Sequence, residues 1–153
     1  MSFGFAVGDF IAVGHLAQLL YKDVYLVARG APEEVRLLMS EIAIISQSVD
    51  LLIEEVKSPT STLIRAGESR VKMVNEVMKQ ANATLKDLEK FAKKYDFGDR
   101  EGGRAKLKKM RDKLMSAREK SSIDELRTKV QYHNGAMNLL LTAAGKYVAF
   151  SYL

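Results

Sequence analysis

Apolar residues recur three and four positions apart through most of this chain. The cleanest run is Val35, Leu38, Ile42, Ile45, Val49, Leu52 and Val56, the period of a helix with one face against a core. Leu37, Ile44, Leu51 and Ile53 widen that face, as expected for a helix with more than one neighbour. Pro32, Glu33 and Glu34 suit its first turn, where proline costs nothing and carboxylates meet the positive helix end. Ser58-Pro59-Thr60-Ser61 breaks the chain and offers caps to a third helix. There Ile64, Gly67, Val71, Val74, Met78, Ala81, Leu85, Leu88, Ala92 and Tyr95 keep the spacing, which predicts one long helix from Ser61 to Lys94. Residues 97–103 read as a loop, with Gly98, Gly102 and Gly103 among charged residues. Leu107, Met110 and Leu114 restart the period in a short basic helix that Ser121-Ser122 ends. Ser122-Ile123-Asp124-Glu125 has the form of a capping box for a last helix with the stripe Leu126, Val130, His133, Met137, Leu140, Ala144 and Tyr147. Gly135 sits inside that stripe's span and costs about 1 kcal/mol against Ala. A turn at Asn134-Gly135 is the alternative to a continuous helix.

The opening segment, Phe3 to Tyr21, is apolar or small except for Asp9, His15 and Gln18. As one helix it measures about 28 Å, close to the hydrocarbon core of a bilayer. Phe3, Phe5, Val7, Phe10, Ile11, Val13, Leu16, Leu19 and Leu20 each favour insertion by about 0.3–0.6 kcal/mol, and an ionised Asp9 at mid-depth opposes it by about 2.5–3.5 kcal/mol. The sum lies near zero, so a lone copy is not a constitutive anchor. Val13, Leu16, Leu20 and Val24 form one greasy stripe. Gly4, Gly8 and Ala12 form a row of small residues on another side, continued by His15, Gln18 and Lys22; such rows let helices approach closely. Two readings follow. In one the segment is a buried helix of a soluble bundle, with Asp9 as a cap before Phe10. In the other that core helix also inserts. Either way the fold expected is an all-α bundle of four or five helices, its N-terminal helix largely enclosed by the others. The segment has no basic leader before the apolar run and so does not read as a signal peptide.

Composition narrows the classes. The length of 153 residues suits one domain, 1–153, and 47% hydrophobic content supplies a core. The chain holds no cysteine, which removes disulfide frameworks and thiolate metal sites. The net charge of +5 is uneven. Residues 31–60 are acidic, whereas residues 104–120 carry Arg104, Lys106, Lys108, Lys109, Arg111, Lys113, Arg118 and Lys120. Such a patch implies an anionic partner. Anionic lipid contact through Arg104, Lys106, Lys108, Lys109, Arg111 and Lys113 needs positive charge alone. A solvated surface face is the plain alternative. Nucleic-acid binding lacks interleaved aromatics for stacking, so no nucleic-acid partner is expected. Catalysis has little to stand on: the chain has no phosphate-binding glycine loop, no nucleophile elbow and no paired-histidine metal motif. Glu33-Glu34 and Glu54-Glu55 are adjacent in sequence and so diverge on a helix. His133 falls at a core register position, where a hydrogen-bonded structural role is expected. No enzyme and no cofactor are expected.

The opening MSFGFAVGDFIAVGHLAQLL, the basic stretch, and then IDELRTKV and HNGAMNLLL within residues 113–141 resemble fungal HeLo-like domains. These stand at the N-terminus of STAND or NLR-like receptors and of amyloid-signalled cell-death proteins. The resemblance runs in order over nearly the whole chain, on loose hydrophobic motifs. Where relatives carry Trp before the last helix, this chain reads Lys113-Leu114-Met115-Ser116. The resemblance implies a four-helix bundle similar to plant coiled-coil receptor domains and to the mixed-lineage kinase-like bundle. It implies the N-terminal part of a longer protein, cytoplasmic at rest and at the plasma membrane once a receptor or amyloid-motif partner drives homo-oligomerisation. It implies pore formation in regulated cell death, with the N-terminal helix as the inserting part. Carried onto this chain, the membrane-inserting residues are Phe3, Gly4, Phe5, Val7, Gly8, Asp9, Phe10, Ile11, Val13, Gly14 and Leu16. A helical adaptor that oligomerises or docks partners without entering a bilayer is the second expectation.

Overall fold

The computed structural model describes residues 7–28, 33–65, 67–94, 108–109 and 112–145; for 7–10 and 23–28 it describes the backbone only. The described residues form an all-α bundle without strands. Its elements are α1 (Val7–Ala28), α2 (Glu33–Lys57), α3 (Thr62–Arg65), α4 (Glu68–Lys94) and α5 (Ala117–Ala143). The four long helices form a ring. α1 packs on α2 and α4, and α5 packs on the same two helices from the opposite corner.

Side-chain pairings fix the directions. Gly14 of α1 lies against Val49 and Ile53 of α2, while the chain passes from Ala28 to Glu33 in a short link, so α1 and α2 are antiparallel. Glu34 pairs with Lys120, and Glu41 with Gln131 and Asn134, so α2 and α5 run together. Thr84 meets His133 and Lys94 meets Glu119, so α4 and α5 are antiparallel. The chain therefore crosses the bundle diagonally between α2 and α4, and α3 lies on that crossing.

The heptad-like run of α2 is buried throughout, from Val35 to Val56. Its apolar period thus became the centre of the core together with Val74, Met78, Ala81 and Leu85 of α4 and Val130, Met137 and Leu141 of α5. Deeply buried side chains of this kind each contribute about 1.5–3 kcal/mol by leaving water.

Three boundaries differ from the sequence expectation, each for a local reason. The helix expected from Ser61 to Lys94 is two helices. Gly67 has φ +104°, a left-handed conformation that L side chains rarely adopt, and it turns the chain between α3 and α4. Ser61 caps α3, its hydroxyl accepting from the Ile64 amide at 3.3 Å, and the buried Glu55 carboxylate accepts from the Thr62 amide at 3.0 Å. The last helix starts at Ala117, not after Ser122. Ser116 is its cap, with its hydroxyl accepting from Glu119 N–H at 3.3 Å, so the capping sequence is Ser116-Ala117-Arg118-Glu119. Ser122 lies inside the helix and donates back to the Arg118 carbonyl. Third, Asp9 is not a cap before Phe10, because α1 is already helical at Val7. Gly135 is helical, and no turn forms at Asn134-Gly135.

Candidate membrane-active site

α1 meets the core along a narrow stripe. Val13, Ala17 and Leu20 are buried, and Leu16 and Tyr21 are partly so. A methyl group added at Gly14 would stand 3.5 Å from Val49 Cγ1, 3.6 Å from Asp50 Oδ1 and 3.7 Å from Ile53 Cδ1. Glycine and alanine at this seam let the two backbones come close, but they bury little apolar area. Val13 and Leu20 together hold the described part of α1 with about 3–6 kcal/mol of burial.

The opposite face of α1 is open. Ala12, His15, Gln18 and Lys22 are exposed, and so are two large apolar residues, Ile11 at 36% and Leu19 at 57%. The first helix thus packs among the others, against α2 and α4, and over residues 11–22 its remaining face is open. In a ring of four helices each member keeps an outward face, and α5 lies diagonally across from α1 instead of covering it. Among the inserting residues inferred by resemblance, Val13 and Gly14 point into the bundle, Leu16 is half-buried and Ile11 faces out. Val7, Gly8, Asp9 and Phe10 lie in the first turns of α1, with side chains outside the described set; Phe3, Gly4 and Phe5 lie outside the described residues. Among the described residues no helix is long and apolar enough to cross a membrane.

The basic stretch is anchored by Leu114, which is fully buried, while Lys108, Lys109 and Lys113 are exposed. Arg104, Lys106 and Arg111 lie outside the described residues. Position is the new fact here. Residues 112–120 sit where α2 begins, because Lys120 reaches Glu34 at 3.9 Å, and where α4 ends, because Glu119 reaches Lys94 at 3.2 Å. That is also the end at which α1 finishes. Lys113 and Lys120 thus occupy the opposite end of the bundle from the start of α1, about 30 Å away along a 22-residue helix.

Sequence reasoning also missed a polar seam between α5 and its neighbours. The Glu41 carboxylate accepts from Gln131 Nε2 and Asn134 Nδ2, each at 3.0 Å, and Asn134 also donates to the Glu41 carbonyl at 3.0 Å. His133 is buried, with Nε2 2.7 Å from the Thr84 hydroxyl, and among the described residues its Nδ1 has no hydrogen-bond partner. Burial holds the imidazole below its usual pKa, and the Lys129 charge adds to that. This is the structural histidine that its register position implied. Only the burial of its neighbours, which period alone does not give, marks the seam.

Among the described residues no three His, Cys, Asp or Glu side chains gather to hold a metal ion. No protein-family model matches the chain, and neither a curated protein nor a solved structure matches it significantly.

Proposed function

We propose that this bundle acts on anionic membranes, with α1 as the part that leaves the fold and inserts when copies are brought together. One observation supports this reading above the others: α1 is apolar on more of its circumference than the bundle uses. Its seam consists of Val13, Gly14, Ala17 and Leu20, and Ile11 and Leu19 stay in water. Detachment forfeits a narrow stripe, and a bilayer accepts that stripe together with Ile11 and Leu19. Asp9 opposes insertion of a single copy, so several copies must share that group, and intramembrane acids face such shared cavities. Lys108, Lys109 and Lys113 supply attraction to anionic headgroups, worth about 1 kcal/mol each near the surface. Lys113 sits at the far end of the bundle from the start of α1. A copy held by its lysines therefore reaches the bilayer with α1's N-terminal end only after α1 swings away. The resemblance to fungal cell-death domains supports a role in regulated cell death.

Dye release from anionic vesicles tests the reading. Leakage is expected from the intact chain once it is forced to oligomerise, and its loss is expected when Met1 to Ala12 is deleted. Unchanged leakage after that deletion refutes insertion through α1. A second reading, an adaptor that self-associates without entering a bilayer, is favoured by one observation: no described helix has the apolar length of a membrane span. It predicts self-association without dye release.

A further inference from the structure

The outer face of α5 carries a feature that neither the core nor α1 explains. From Val130 to Gly145 the chain has no Asp, Glu, Lys or Arg, its longest such run. Tyr132 and Leu139 within it are 67% and 73% exposed, the most exposed large apolar residues among those described. Between them, one turn from each, lies Gly135. Glycine inside a helix is unfavourable, and nothing inside the molecule requires it here. The helix is continuous through it, and an added Cβ at Gly135 meets nothing within 4 Å. An exposed glycine flanked by two exposed apolar side chains forms a hole between knobs, the geometry that receives another helix.

We infer that this face pairs with the same face of a second copy, with the two α5 helices antiparallel and crossing at Gly135. Two arguments select that occupant, and a third sets its strength. A two-fold contact needs a patch that complements itself, and rotation about Gly135 sets Tyr132 of one copy beside Leu139 of the other. Each copy carries a net charge of +5, and this uncharged window is where two like-charged particles approach with least repulsion. The antiparallel sense also follows from charge, since a parallel pair would face Glu125 with Glu125 and Lys129 with Lys129. Finally, the window is small. The helical part of it is about 21 Å long and one helix wide, which leaves each copy well short of the about 800 Å² that a stable partner interface buries. Such a contact stays open in dilute solution and closes when copies are tethered at about millimolar effective concentration. Pairing through α5 leaves α1, diagonally across the bundle, uncovered. The inference holds whether or not α1 enters a bilayer.

The absence of cysteine in the chain makes the test clean. Gly135→Cys is expected to form disulfide-linked dimers on mild oxidation of concentrated protein. A mixture of Tyr132→Cys and Leu139→Cys chains is expected to give the mixed dimer in preference to either homodimer. Lys79→Cys, exposed on α4, is the control for random collision. In sedimentation at high concentration, Leu139→Glu is expected to weaken self-association by about tenfold, as loss of a central apolar anchor does. Gly135→Ala is expected to raise the melting temperature by roughly 2–4 °C while weakening self-association, a pair of opposite signs that a purely intramolecular role does not produce. Cross-linking no faster than the Lys79→Cys control overturns the inference. So does a preference for Tyr132–Tyr132 links, or a Leu139→Glu variant that loses vesicle binding with unchanged self-association.

Discussion

His133 is the residue whose environment converts most directly into a measurement. It is buried between α4 and α5 with one ring nitrogen on Thr84, and its pKa lies below the ordinary 6.5. A lowered histidine pKa means that the fold prefers the neutral ring. Its contribution is therefore complete above about pH 6.5 and is lost as the pH falls through that value toward the folded pKa. Urea midpoints are expected to decline between about pH 7 and pH 5, with part of that slope absent in His133→Gln, whose amide retains a group able to bond Thr84. An unchanged slope in that variant shows that other groups carry the acid sensitivity. Ser116 and Ser122 offer a paired test of the helix start. Ser116→Ala removes the cap of α5 and is expected to cost about 1 kcal/mol, whereas Ser122→Ala, inside the helix, is expected to be neutral or slightly stabilising. The reverse order would restore the capping box expected from sequence.

Among the elements, α1 is the one whose attachment the proposed membrane activity depends on. Its seam against α2 has room for one more carbon at Gly14, with the nearest atoms at 3.5–3.7 Å, ordinary contact distances. Gly14→Ala is therefore expected to stabilise the bundle by roughly 0.5–1 kcal/mol, from helix propensity and the added contact. If α1 must leave for leakage to occur, the same substitution is expected to slow dye release. Faster release from a more stable variant would separate detachment of α1 from permeabilisation. Hydrogen exchange under native conditions supplies the corresponding order. Amides of α1 are expected to open before those of α2, whose nine buried residues face two long neighbours.

At the scale of the whole molecule, the polarity of the bundle matters more than its total charge. Lys113 and Lys120 lie at one end and the start of α1 at the other, so on the proposed reading attraction and insertion use separate ends. Replacing Lys108, Lys109 and Lys113 with glutamine is expected to weaken binding to anionic vesicles by about tenfold or more, in proportion to roughly 1 kcal/mol per charge. Raising the salt toward 1 M is expected to do the same to the unaltered protein by shortening the Debye length to about 3 Å. Binding insensitive to both would remove the basic end from the membrane reading.

The amino-acid order determined the helices wherever apolar spacing was long and unbroken. The α2 stripe from Val35 to Val56 and the α4 stripe from Val71 to Ala92 are buried as their period dictates, because a period near 3.6 gathers such residues onto one face whatever lies opposite. Boundaries were less legible. Ser116 and Ser122 each precede an acidic residue by three positions, and only the folded chain distinguishes Ser116 as the cap. The break at Gly67 was hidden because glycine also fits a stripe of small residues. Tertiary packing alone decided which face of α1 meets water, that the basic end and the start of α1 stand apart, and that Tyr132 and Leu139 are left uncovered. Those are relations between distant parts of the chain. Periodicity within one helix says that a face exists, and only the neighbours on either side determine whether it is filled.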